Sequence, residues 1–421
     1  MRVLVIGSGA REDAIAWKLS QSVNSQGIYS LPGNISMARL GPTYDGDTCD
    51  FDAIAQVCAT HSIDLIAVGP EIPLSAGIAD YFKSVDVCVF GPSKQSAKLE
   101  SSKSFAKNVL KKLGVPSPTY HTFQDPVEAN NWIDHNDGPL VIKADGLAAG
   151  KGVFIAETKE EQRFAVASMM SGRIFGDAGD QIVIEEKITG PEVSVFGFCD
   201  GYDVSDLVVA CDYKRIFDND LGPNTGGMGS YSYTGIISSE DLKDIKQRIF
   251  RPVITHMADI GSPYSGVLYA GLMMTSDGPQ VLEFNCRLGD PEAQVILPRL
   301  QTDLMDVMYK CAVGQLSETE IAWDEQASVG LVLASEGYPA EFQTGFEITG
   351  LESDMLGTYV FCGGVSEGLE NKMITAGGRV LTVVGHGHTV TEARDLAYAR
   401  ASTIEFDNKI HRNDIGMGLR I

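Results

Sequence analysis

Short apolar runs that alternate with helical patterns are the feature that most constrains the fold of this chain. Within residues 1–100 the runs RVLVIG, DLIAVG and VCVFG each end in a glycine and are separated by amphipathic segments. Short Val/Ile/Leu strands separated by helices are typical of a parallel α/β sheet. Because ligands of open α/β sheets bind beyond the carboxyl ends of the strands, we expect Gly7, Gly69 and Gly91 to lie near a ligand.

The rest of the chain mixes strands and helices in other arrangements. PLVIKA, VFIAET and QIVIEEK predict a small α+β unit with a helix near residues 159–170. VSVFGF, LVVACD, VLYAGLMM and QVLEFNC predict further strands, accompanied by helices near 239–259 and 291–312 and interrupted by the low-order loop DNDLGPNTGGMGS. New strands begin near residue 326, and a last helix is expected near 390–403. A chain of 421 residues is too long for one core, so several domains are expected.

Net charge and cysteine usage exclude some classes of protein. The formal charge of −23 argues against a nucleic-acid or membrane-surface partner, which would need a basic face. No apolar run approaches the ~20 residues that a membrane span needs. The eight cysteines are scattered without a CxxC pair, which favours reduced thiols and a cytoplasmic location. An anionic small substrate remains possible if cations are gathered locally.

The first glycine loop, GSGARE, has two glycines of a dinucleotide-binding pattern but Glu12 at the third position. Since that pattern needs the third glycine for close helix–strand packing, a nicotinamide cofactor is disfavoured. Backbone N–H groups at a helix N-terminus, with Arg11 beside them, suit a substrate phosphate. The alternative interpretation is a tight strand–helix turn.

A second glycine-rich stretch, DGLAAGKGV, resembles a phosphate-binding P-loop but has the wrong spacing. Only three residues separate Gly146 from Gly150-Lys151, and no Ser or Thr follows the lysine to hold a metal. The stretch predicts a mobile hairpin whose N–H groups form an anion nest, with Lys151 at its tip and Lys143 on the preceding strand. A flexible hairpin with solvated lysines is the alternative.

The stretch VLEFNCRLGDPE carries the most chemistry. The period of two in a strand puts Glu283, Asn285 and Arg287 on one face. Two oxygen ligands suit Mg²⁺, which commonly takes one or two protein groups and completes its shell with phosphate oxygens. Arg287 offers a planar fork to a carboxylate or phosphate. A half-exposed strand with a salt bridge would explain the Glu and the Arg, but not the Asn or the following GDPE turn.

Two weaker signals complete the candidates. DYKRIFDNDLGPNTGGMGS combines Asp212, Lys214 and Arg215 with a glycine-rich loop whose backbone donors could face a ligand. Glu192 follows the apolar strand IVIEEK, where an acid could bind ribose hydroxyls. A plain surface loop and ordinary surface acids are the alternatives.

Together these strings resemble the glycinamide ribonucleotide synthetase family of the ATP-grasp superfamily. The resemblance runs from end to end and includes GSGARE, VGPEIPLSAGIAD, GPSKQSAKLESSKSFAK, LVIKADGLAAGKGV, VIEEKITGPEVSVF, DYKR, GPNTGGMG, EFNCRLGDPEAQ, TAGGRVLTVVG and HRNDIG. GPNTGGMG and DGLAAGKGV are specific to this family. Ala10 and Asp13 depart from the family pattern, which commonly has Gly and His there, and an acid near a phosphate site is unfavourable.

The resemblance implies an α/β fold with an α+β lid, namely an ATP-grasp fold with four parts. These are an N-terminal parallel α/β domain at 1–101, a central sheet domain at 102–121 and 190–325, a lid subdomain at 122–189 and a C-terminal domain at 326–421. The family reaction joins glycine to 5-phosphoribosylamine through glycyl phosphate, giving glycinamide ribonucleotide, ADP and phosphate. It implies ATP, Mg²⁺ or Mn²⁺, small-molecule partners only, and a monomer or weak homodimer.

The resemblance also implies roles for particular residues. The ATP-binding candidates are Lys103, Lys143, Gly146, Gly150, Lys151, Glu186, Lys187, Ile188 and Glu192. The substrate-binding candidates are Gly9, Arg11, Glu12, Pro223, Asn224, Thr225, Gly226, Gly227 and Arg287. The catalytic candidates are Asp212, Lys214 and Arg287, and the metal ligands are Glu283 and Asn285. Another ATP-grasp carboxylate–amine ligase and a non-catalytic nucleotide-binding protein are the alternatives, and the complete set of Lys143, Glu283, Asn285 and Arg287 weighs against the latter.

Overall fold

A computed structural model describes residues 1–148 and 152–418 of the chain. The N-terminal part is a parallel sheet with strand order β2–β1–β3–β4. Its strands are β1 Arg2–Gly7, β2 Gly27–Pro32, β3 Leu65–Val68 and β4 Cys88–Phe90. Its helices are α1 Ala10–Ser20, α2 Phe51–His61, α3 Glu71–Ala76 and α4 Ile78–Phe82. The apolar runs predict β1, β3 and β4, whereas the run in β2 is broken by Ser30 and is not predicted.

Two helices connect this part to the next sheet. They are α5 Lys98–Ser101 and α6 Lys103–Leu113. Ser102 caps α6 because its hydroxyl accepts a hydrogen bond from the N–H of Phe105, and Gly114, in the left-handed region, ends it. Local sequence signals therefore set both ends of α6.

The lid is a four-stranded antiparallel sheet with strand order β5–β8–β6–β7. Its strands are β5 Tyr120–Phe123, β6 Leu140–Ala144, β7 Val153–Ala156 and β8 Ile182–Glu186. Its helices are α7 Pro126–Asp134 and α8 Lys159–Val166, which continues as one wider turn to Ser171. The predicted α+β unit is confirmed, with β5 and α7 in addition.

One large sheet occupies most of the remaining chain. The later strands are β9 Glu192–Asp200, β10 Val208–Asp212, β11 Arg215–Phe217, β12 Leu221–Asn224, β13 Gly229–Ser232, β14 Ser265–Thr275, β15 Gly278–Asn285, β16 Ala327–Ser335, β17 Thr358–Cys362, β18 Val365–Glu367, β19 Met373–Thr375, β20 Arg379–Gly387 and β21 Lys409–Ile410. The later helices are α9 Ser239–Ile245, α10 Arg251–Asp259, α11 Glu292–Ile296, α12 Leu304–Val313 and α13 Val390–Ala401.

The large sheet runs through both the central and the C-terminal regions. Its order is β15–β14–β9–β10–β13–β16–β20–β17, with β21 added beside β16. The junction is the antiparallel pair β13–β16, in which Gly229 lies opposite Leu331. The strands expected after residue 326 therefore extend the central sheet and do not start a separate one.

Both faces of this sheet are buried, so apolar runs mark its strands well. Neighbouring residues of β9 belong to different cores: Val195 packs with α6 and α10, and Phe196 packs with α11, α12 and the N-terminal part. The stretch expected as a low-order loop contains β12 and the start of β13 instead. Strand β12 forms a hairpin with the preceding β11, and this hairpin pairs with no other strand in the described part of the chain. No helix within the described residues is long and apolar enough to cross a membrane.

Candidate active site

Strand β15 presents the two candidate metal ligands on one side. Glu283 and Asn285 are partly exposed, while Phe284 between them is buried in the core. The strand ends at Asn285, so Arg287 lies beyond it rather than continuing the alternation. Carboxylate and amide oxygens are hard donors of the kind that Mg²⁺ and Mn²⁺ prefer.

Cations from several elements face Glu283. Burial alone would raise the pKa of Glu283, but the charges of Lys143, Lys214, Lys103 and Arg287 outweigh it and lower the pKa. The carboxyl group is therefore ionised at neutral pH, as a metal ligand must be. The chain thus brings together residues that are far apart in sequence around one carboxylate.

Lys143 on β6 is fixed by a buried acid that sequence reasoning missed. Its Nζ lies 3.0 Å from Glu185 Oε2 and donates to the carbonyl of Leu282 at 3.1 Å. The other carboxylate oxygen of Glu185 lies 3.2 Å from Nζ of Lys107, whose pKa burial lowers to about 8. The doublet Glu185-Glu186 is the sequence signal for this contact. Adjacent strand residues face opposite sides of a sheet, so one of the two carboxylates lies on the same side as the lysines.

The other residues at the end of β8 face the lid surface. The carboxylate of Glu186 accepts the N–H of Thr119 at 2.8 Å, and Lys187 forms an ion pair with Glu157. Ile188 follows the strand and is partly buried. These candidates therefore lie together at the strand end that adjoins Glu185.

The start of the glycine-rich lid loop is held on the N-terminus of α6. The carboxylate of Asp145 accepts the N–H of Ser104 at 2.6 Å and the hydroxyl of Ser102 at 3.0 Å. Lys103 Nζ donates to the carbonyl of Gly146 at 3.3 Å, and burial lowers the pKa of Lys103 despite the nearby Glu283 carboxylate. The candidates Gly150 and Lys151 lie outside the described residues.

Lys214 lies among carboxylates. It forms an ion pair with Glu192, the first residue of β9. Burial would lower the pKa of Lys214, but the carboxylates of Asp212, Glu192 and Glu283 outweigh it and raise the pKa. Lys214 is therefore a fixed ammonium ion within the field of Glu283 rather than a proton donor at neutral pH.

The loop after β12 is folded back onto Lys214. The hydroxyl of Thr225 donates to the carbonyl of Lys214 at 2.9 Å and accepts the N–H of Gly227 at 2.9 Å. Gly227 has φ +112°, and a Cβ there would lie 2.4 Å from the ring of Pro291. Pro223 and Asn224, which belong to β12, are exposed.

The first glycine loop is occupied by its own side chains. The carboxylate of Glu12 accepts the N–H of Gly9 at 2.7 Å and the Nε of Arg11 at 2.6 Å. It fills the space over Gly7 and Gly69, where a Cβ would lie 2.6 Å and 2.1 Å from Glu12 atoms. The expectation of free N–H groups is therefore wrong for Gly9, whose donor is used by Glu12.

Asp13 does not face this loop. Its Oδ2 accepts the N–H of Cys362, on β17, at 2.7 Å. Burial is the main reason why the pKa of Asp13 rises from 3.8 to about 7. The expected conflict between this acid and a bound phosphate is avoided because the side chain points towards the C-terminal strands.

Arg287 joins the site to the N-terminal part. Its Nη2 lies 2.9 Å from Glu100 Oε1, and its Nε lies 3.3 Å from Glu71 Oε2. Burial would lower the pKa of Arg287, but Glu100 and Glu71 outweigh it and raise the pKa. Neither acid was selected from the sequence, because each precedes Arg287 by more than 180 residues without a local pattern.

A cavity of about 190 Å³ lies beside the first glycine loop. Arg379 at its edge forms an ion pair with Asp290 at 3.0 Å and donates to the carbonyl of Gly226 at 2.7 Å. The cavity is lined by Gly9, Ala10, Asp290, Gly363, Gly364, Arg379, Leu381 and Thr382. Asp290 and Arg379 lie in strings that carry the family resemblance, but no local pattern marks either residue as functional.

Comparisons with known proteins agree along the whole chain. Family models for phosphoribosylglycinamide synthetase match the N domain at residues 1–100, the ATP-grasp (A) domain at residues 101–293 and the C domain at residues 328–418. A phosphoribosylamine–glycine ligase of Rhizobium meliloti is 42% identical over 416 residues, which cover 99% of this chain and 98% of that protein. The trifunctional purine biosynthetic protein adenosine-3 of Gallus gallus is 46% identical over 420 residues, covering 99% of this chain and 42% of that protein.

Solved structures agree with the sequence matches. The crystal structure of a phosphoribosylamine–glycine ligase from Thermotoga maritima has a TM-score of 0.86 at 33% identity and covers 99% of this chain and 100% of that chain. A biotin carboxylase from Campylobacter jejuni has a TM-score of 0.75 at 14% identity, covering 97% of this chain and 92% of that chain, which shows a shared fold alone. The expected ATP-grasp fold is thereby confirmed. The chain therefore belongs to the phosphoribosylglycinamide synthetase family, and it is an ATP-dependent ligase that joins glycine to phosphoribosylamine in purine biosynthesis.

Proposed function

We propose that the side chains around Glu283 form the centre at which ATP phosphorylates the glycine carboxylate. The observation that carries this proposal is one ionised carboxylate surrounded by Lys103, Lys143, Lys214 and Arg287. Phosphoryl transfer needs positioning and neutralisation of charge more than it needs a nucleophile–base pair. In a chain with a net charge of −23, such a local gathering of cations supports a phosphate-binding role.

The chain uses ATP and a divalent metal ion, as ATP-grasp ligases do. We propose Glu283 and Asn285 as its protein ligands, and Mg²⁺ or Mn²⁺ as the metal. Within the described residues no group of three or more His, Cys, Asp or Glu could hold a metal ion. Two oxygen donors suit a hard cation that takes its remaining ligands from phosphate oxygens and water. When bound, the metal would neutralise charge on the phosphates.

Lys103 and Lys143 are our proposed ligands of the ATP phosphates. Their support is the fixed position of each ammonium group close to Glu283. The loop that begins at Gly146 would cover the phosphates and exclude water from the acyl phosphate, with Gly150 and Lys151 contributing from outside the described residues.

The adenine and ribose of ATP would bind at the adjoining strand ends. Glu186, Lys187 and Ile188 form the proposed adenine hinge, because they lie at the end of the buried strand that carries Glu185 and directly after it. Glu192 is the proposed ribose ligand, and its ion pair with Lys214 would open when ATP binds.

The acceptor side of the reaction would use both glycine loops. We propose that Gly9, Arg11 and Glu12 line the phosphoribosylamine site, together with Arg287. The remaining proposed substrate residues are Pro223, Asn224, Thr225, Gly226 and Gly227. The cavity between the first loop and the C-terminal strands supports this placement. It is lined by Gly9 and by Arg379, and Arg379 donates a hydrogen bond to the carbonyl of Gly226.

The proposed reaction then has two steps. The glycine carboxylate attacks the γ-phosphorus and ADP leaves; Lys214 and Arg287 stabilise the charge, and Asp212 stabilises the ammonium group of Lys214. The amine of 5-phosphoribosylamine next attacks the carbonyl carbon of glycyl phosphate, and phosphate leaves with the bonding electrons. The product is glycinamide ribonucleotide.

Cellular context and assembly follow from the same proposal. We propose a cytoplasmic monomer or weak homodimer with no nucleic-acid or membrane partner, since the chain is strongly acidic. The four units at 1–101, 102–121 with 190–325, 122–189 and 326–421 are our proposed domains. Sedimentation at several protein concentrations would measure the assembly.

Phosphate release from ATP tests the proposed chemistry directly. The assay contains the metal, glycine and freshly made phosphoribosylamine, and each component is omitted in turn. Release should require all of them and should yield glycinamide ribonucleotide. Brief incubation with ATP and glycine followed by trapping with hydroxylamine should give glycine hydroxamate, and its absence would contradict the glycyl phosphate step.

A further inference from the structure

The hairpin β11–β12 forms no strand pairing with the sheets around it in the described part of the chain. Its two strands pair only with each other among the described strands. Phe217 and Leu221, at its outer end, are 59% and 61% exposed. Ile216 is the buried apolar side chain of the hairpin and packs against Val332 and Ala334 of β16. One such contact buries little surface, so polar contacts are needed to fix the position of the whole hairpin.

Both ends of this hairpin enter the proposed catalytic centre. Lys214 directly precedes β11, and Thr225 directly follows β12. The N–H and the hydroxyl of Thr225 both donate to the carbonyl of Lys214, at 2.7 Å and 2.9 Å. A shift of the hairpin would therefore move Lys214.

Arg412 is the main contact to the hairpin from the C-terminal segment. Its Nη1 donates to the carbonyl of Arg215 at 3.0 Å and to the carboxylate of Asp220 at 2.9 Å. Its guanidinium is aligned by Asp414, through Nε at 2.7 Å and Nη2 at 2.6 Å, and lies 4.9 Å from the ring of Tyr213. The side chain of Arg412 is 1% exposed, and its guanidinium donates hydrogen bonds through Nε, Nη1 and Nη2, so it holds its partners rigidly.

Neighbours of Arg412 hold the turn between the two strands. The carboxylate of Asp218 accepts the N–H of Asn413 at 2.7 Å and its side-chain amide at 3.0 Å. The carboxylate of Asp414 accepts the N–H of Asn219 at 2.9 Å. The C-terminal segment therefore binds the base and the turn of the hairpin at once.

We propose that Arg412 is a positioning residue for the ligase reaction: by clamping the hairpin β11–β12 it holds Lys214 in place. This inference rests on the proposed role of Lys214. The ammonium group must stay aligned with the transferring phosphoryl group, and small displacements of such groups cost large factors in rate. Lys103 and Lys143 belong to other elements, so ATP binding depends little on the clamp.

Steady-state kinetics of Arg412→Ala and Arg412→Lys test the proposal. Arg412→Ala should lower kcat by about 10- to 100-fold and change KM for ATP by no more than about twofold, since misplacement acts on the chemical step. Arg412→Lys should restore only part of kcat, because a lysine cannot reproduce the fork. A kcat of Arg412→Ala within about twofold of the unchanged protein would overturn the proposal.

Arg400→Ala is the matched control. Arg400 is a buried arginine of the same region that donates to the carbonyls of Gly350 and Leu351 and does not contact the hairpin. It should lower the melting temperature while leaving kcat unchanged at an assay temperature where the variant is folded. An equal fall of kcat in both variants would show general destabilisation and would refute the clamp.

Two further variants cover the remaining outcomes. Asp218→Ala removes a clamp contact at a partly exposed position, so folding is preserved, and kcat should fall about 3- to 10-fold even if Arg412→Ala does not fold. An unchanged kcat would contradict the proposal. Lys214→Ala tests the underlying role: a fully active Lys214→Ala variant would remove the basis of the clamp, while ligase activity itself would still stand.

Discussion

A single carboxylate sets the charge balance of the proposed active site. Glu283 is ionised because Lys143, Lys214, Lys103 and Arg287 together outweigh its burial. Each of those cations has a second acidic neighbour or is partly desolvated. The positive and negative charges of the site therefore nearly balance before substrates bind. Such preorganisation reduces the rearrangement that phosphoryl transfer requires.

Glu283→Ala should abolish measurable turnover while the chain still folds. Loss of the carboxylate removes the proposed metal ligand, and kcat should fall by about 10²- to 10³-fold or more. Glu283→Gln is the matched control for shape, since it keeps an oxygen but loses the charge. Circular dichroism would verify folding, and near-normal activity at saturating magnesium would show that the metal assignment is wrong.

Candidate residues on one strand could be selected from sequence alone, whereas their supports could not. The alternation around Phe284 marks Glu283 and Asn285, because period-two geometry is local. Glu71 and Glu100 act through ion pairs with Arg287, which follows them by more than 180 residues, and such pairs leave no periodic signal. A local sequence pattern therefore identifies functional side chains that share one strand, but it does not identify the distant residues that hold functional side chains in place.

Strands and hairpins also differ in how well the local sequence predicts them. Strands of the large sheet such as β16 are predicted because burial on both faces favours apolar runs. The buried strand β13, with the sequence GSYS, has no such run and is not predicted. The hairpin β11–β12, with the sequence RIFDNDLGPN, has no sustained apolar run, and Arg412, almost 200 residues later, supplies several of its contacts. Because the structure of the hairpin depends on hydrogen bonds to distant residues, the local sequence predicts only a loop.

Gly227→Ala should damage the loop that follows this hairpin. The substitution places a Cβ at φ +112° and 2.4 Å from the ring of Pro291, so it combines backbone strain with a clash. We expect a loss of about 2–4 kcal/mol in the free energy of unfolding, with a large fall in kcat. Denaturant unfolding and steady-state kinetics would measure both effects.

Gly138→Ala provides the comparison. Gly138 has φ +100°, and nothing lies within 4 Å of the added Cβ, so only backbone strain remains. A loss of about 1–2 kcal/mol with unchanged kcat is expected. Equal losses in the two variants would mean that the contact with Pro291 is unimportant.

Contacts between the first helix and the C-terminal strands tie the whole molecule together. Asp13 on α1 accepts the N–H of Cys362 on β17, and Trp17 packs on Tyr359 and Phe361 of the same strand. The cavity beside the first glycine loop lies along this junction. Its geometry therefore depends on both ends of the chain.

Asp13 should make stability depend on pH. Its pKa is about 7 in the folded protein and 3.8 in the reference state, so the folded chain keeps a proton that the unfolded chain has lost between these values. The free energy of unfolding therefore falls as the pH rises through this window. Asp13→Asn keeps an oxygen for the N–H of Cys362, and its stability advantage over the unchanged protein should grow by about 1–3 kcal/mol from about pH 5 to about pH 8. Urea unfolding at both pH values would measure it, and an equal difference at the two would rule out this carboxyl group as the cause.

The last residue of β17 also shows how hydrogen bonds from other parts of the chain occupy the backbone groups at the edge of the large sheet. Cys362 has its outward N–H bonded to Asp13 and its outward carbonyl bonded to the side chain of Asn34 at 2.9 Å. Unpaired edge groups are the usual template on which strands of other molecules add. Here the N-terminal part occupies both groups at that residue, so it protects this end of the sheet against aggregation.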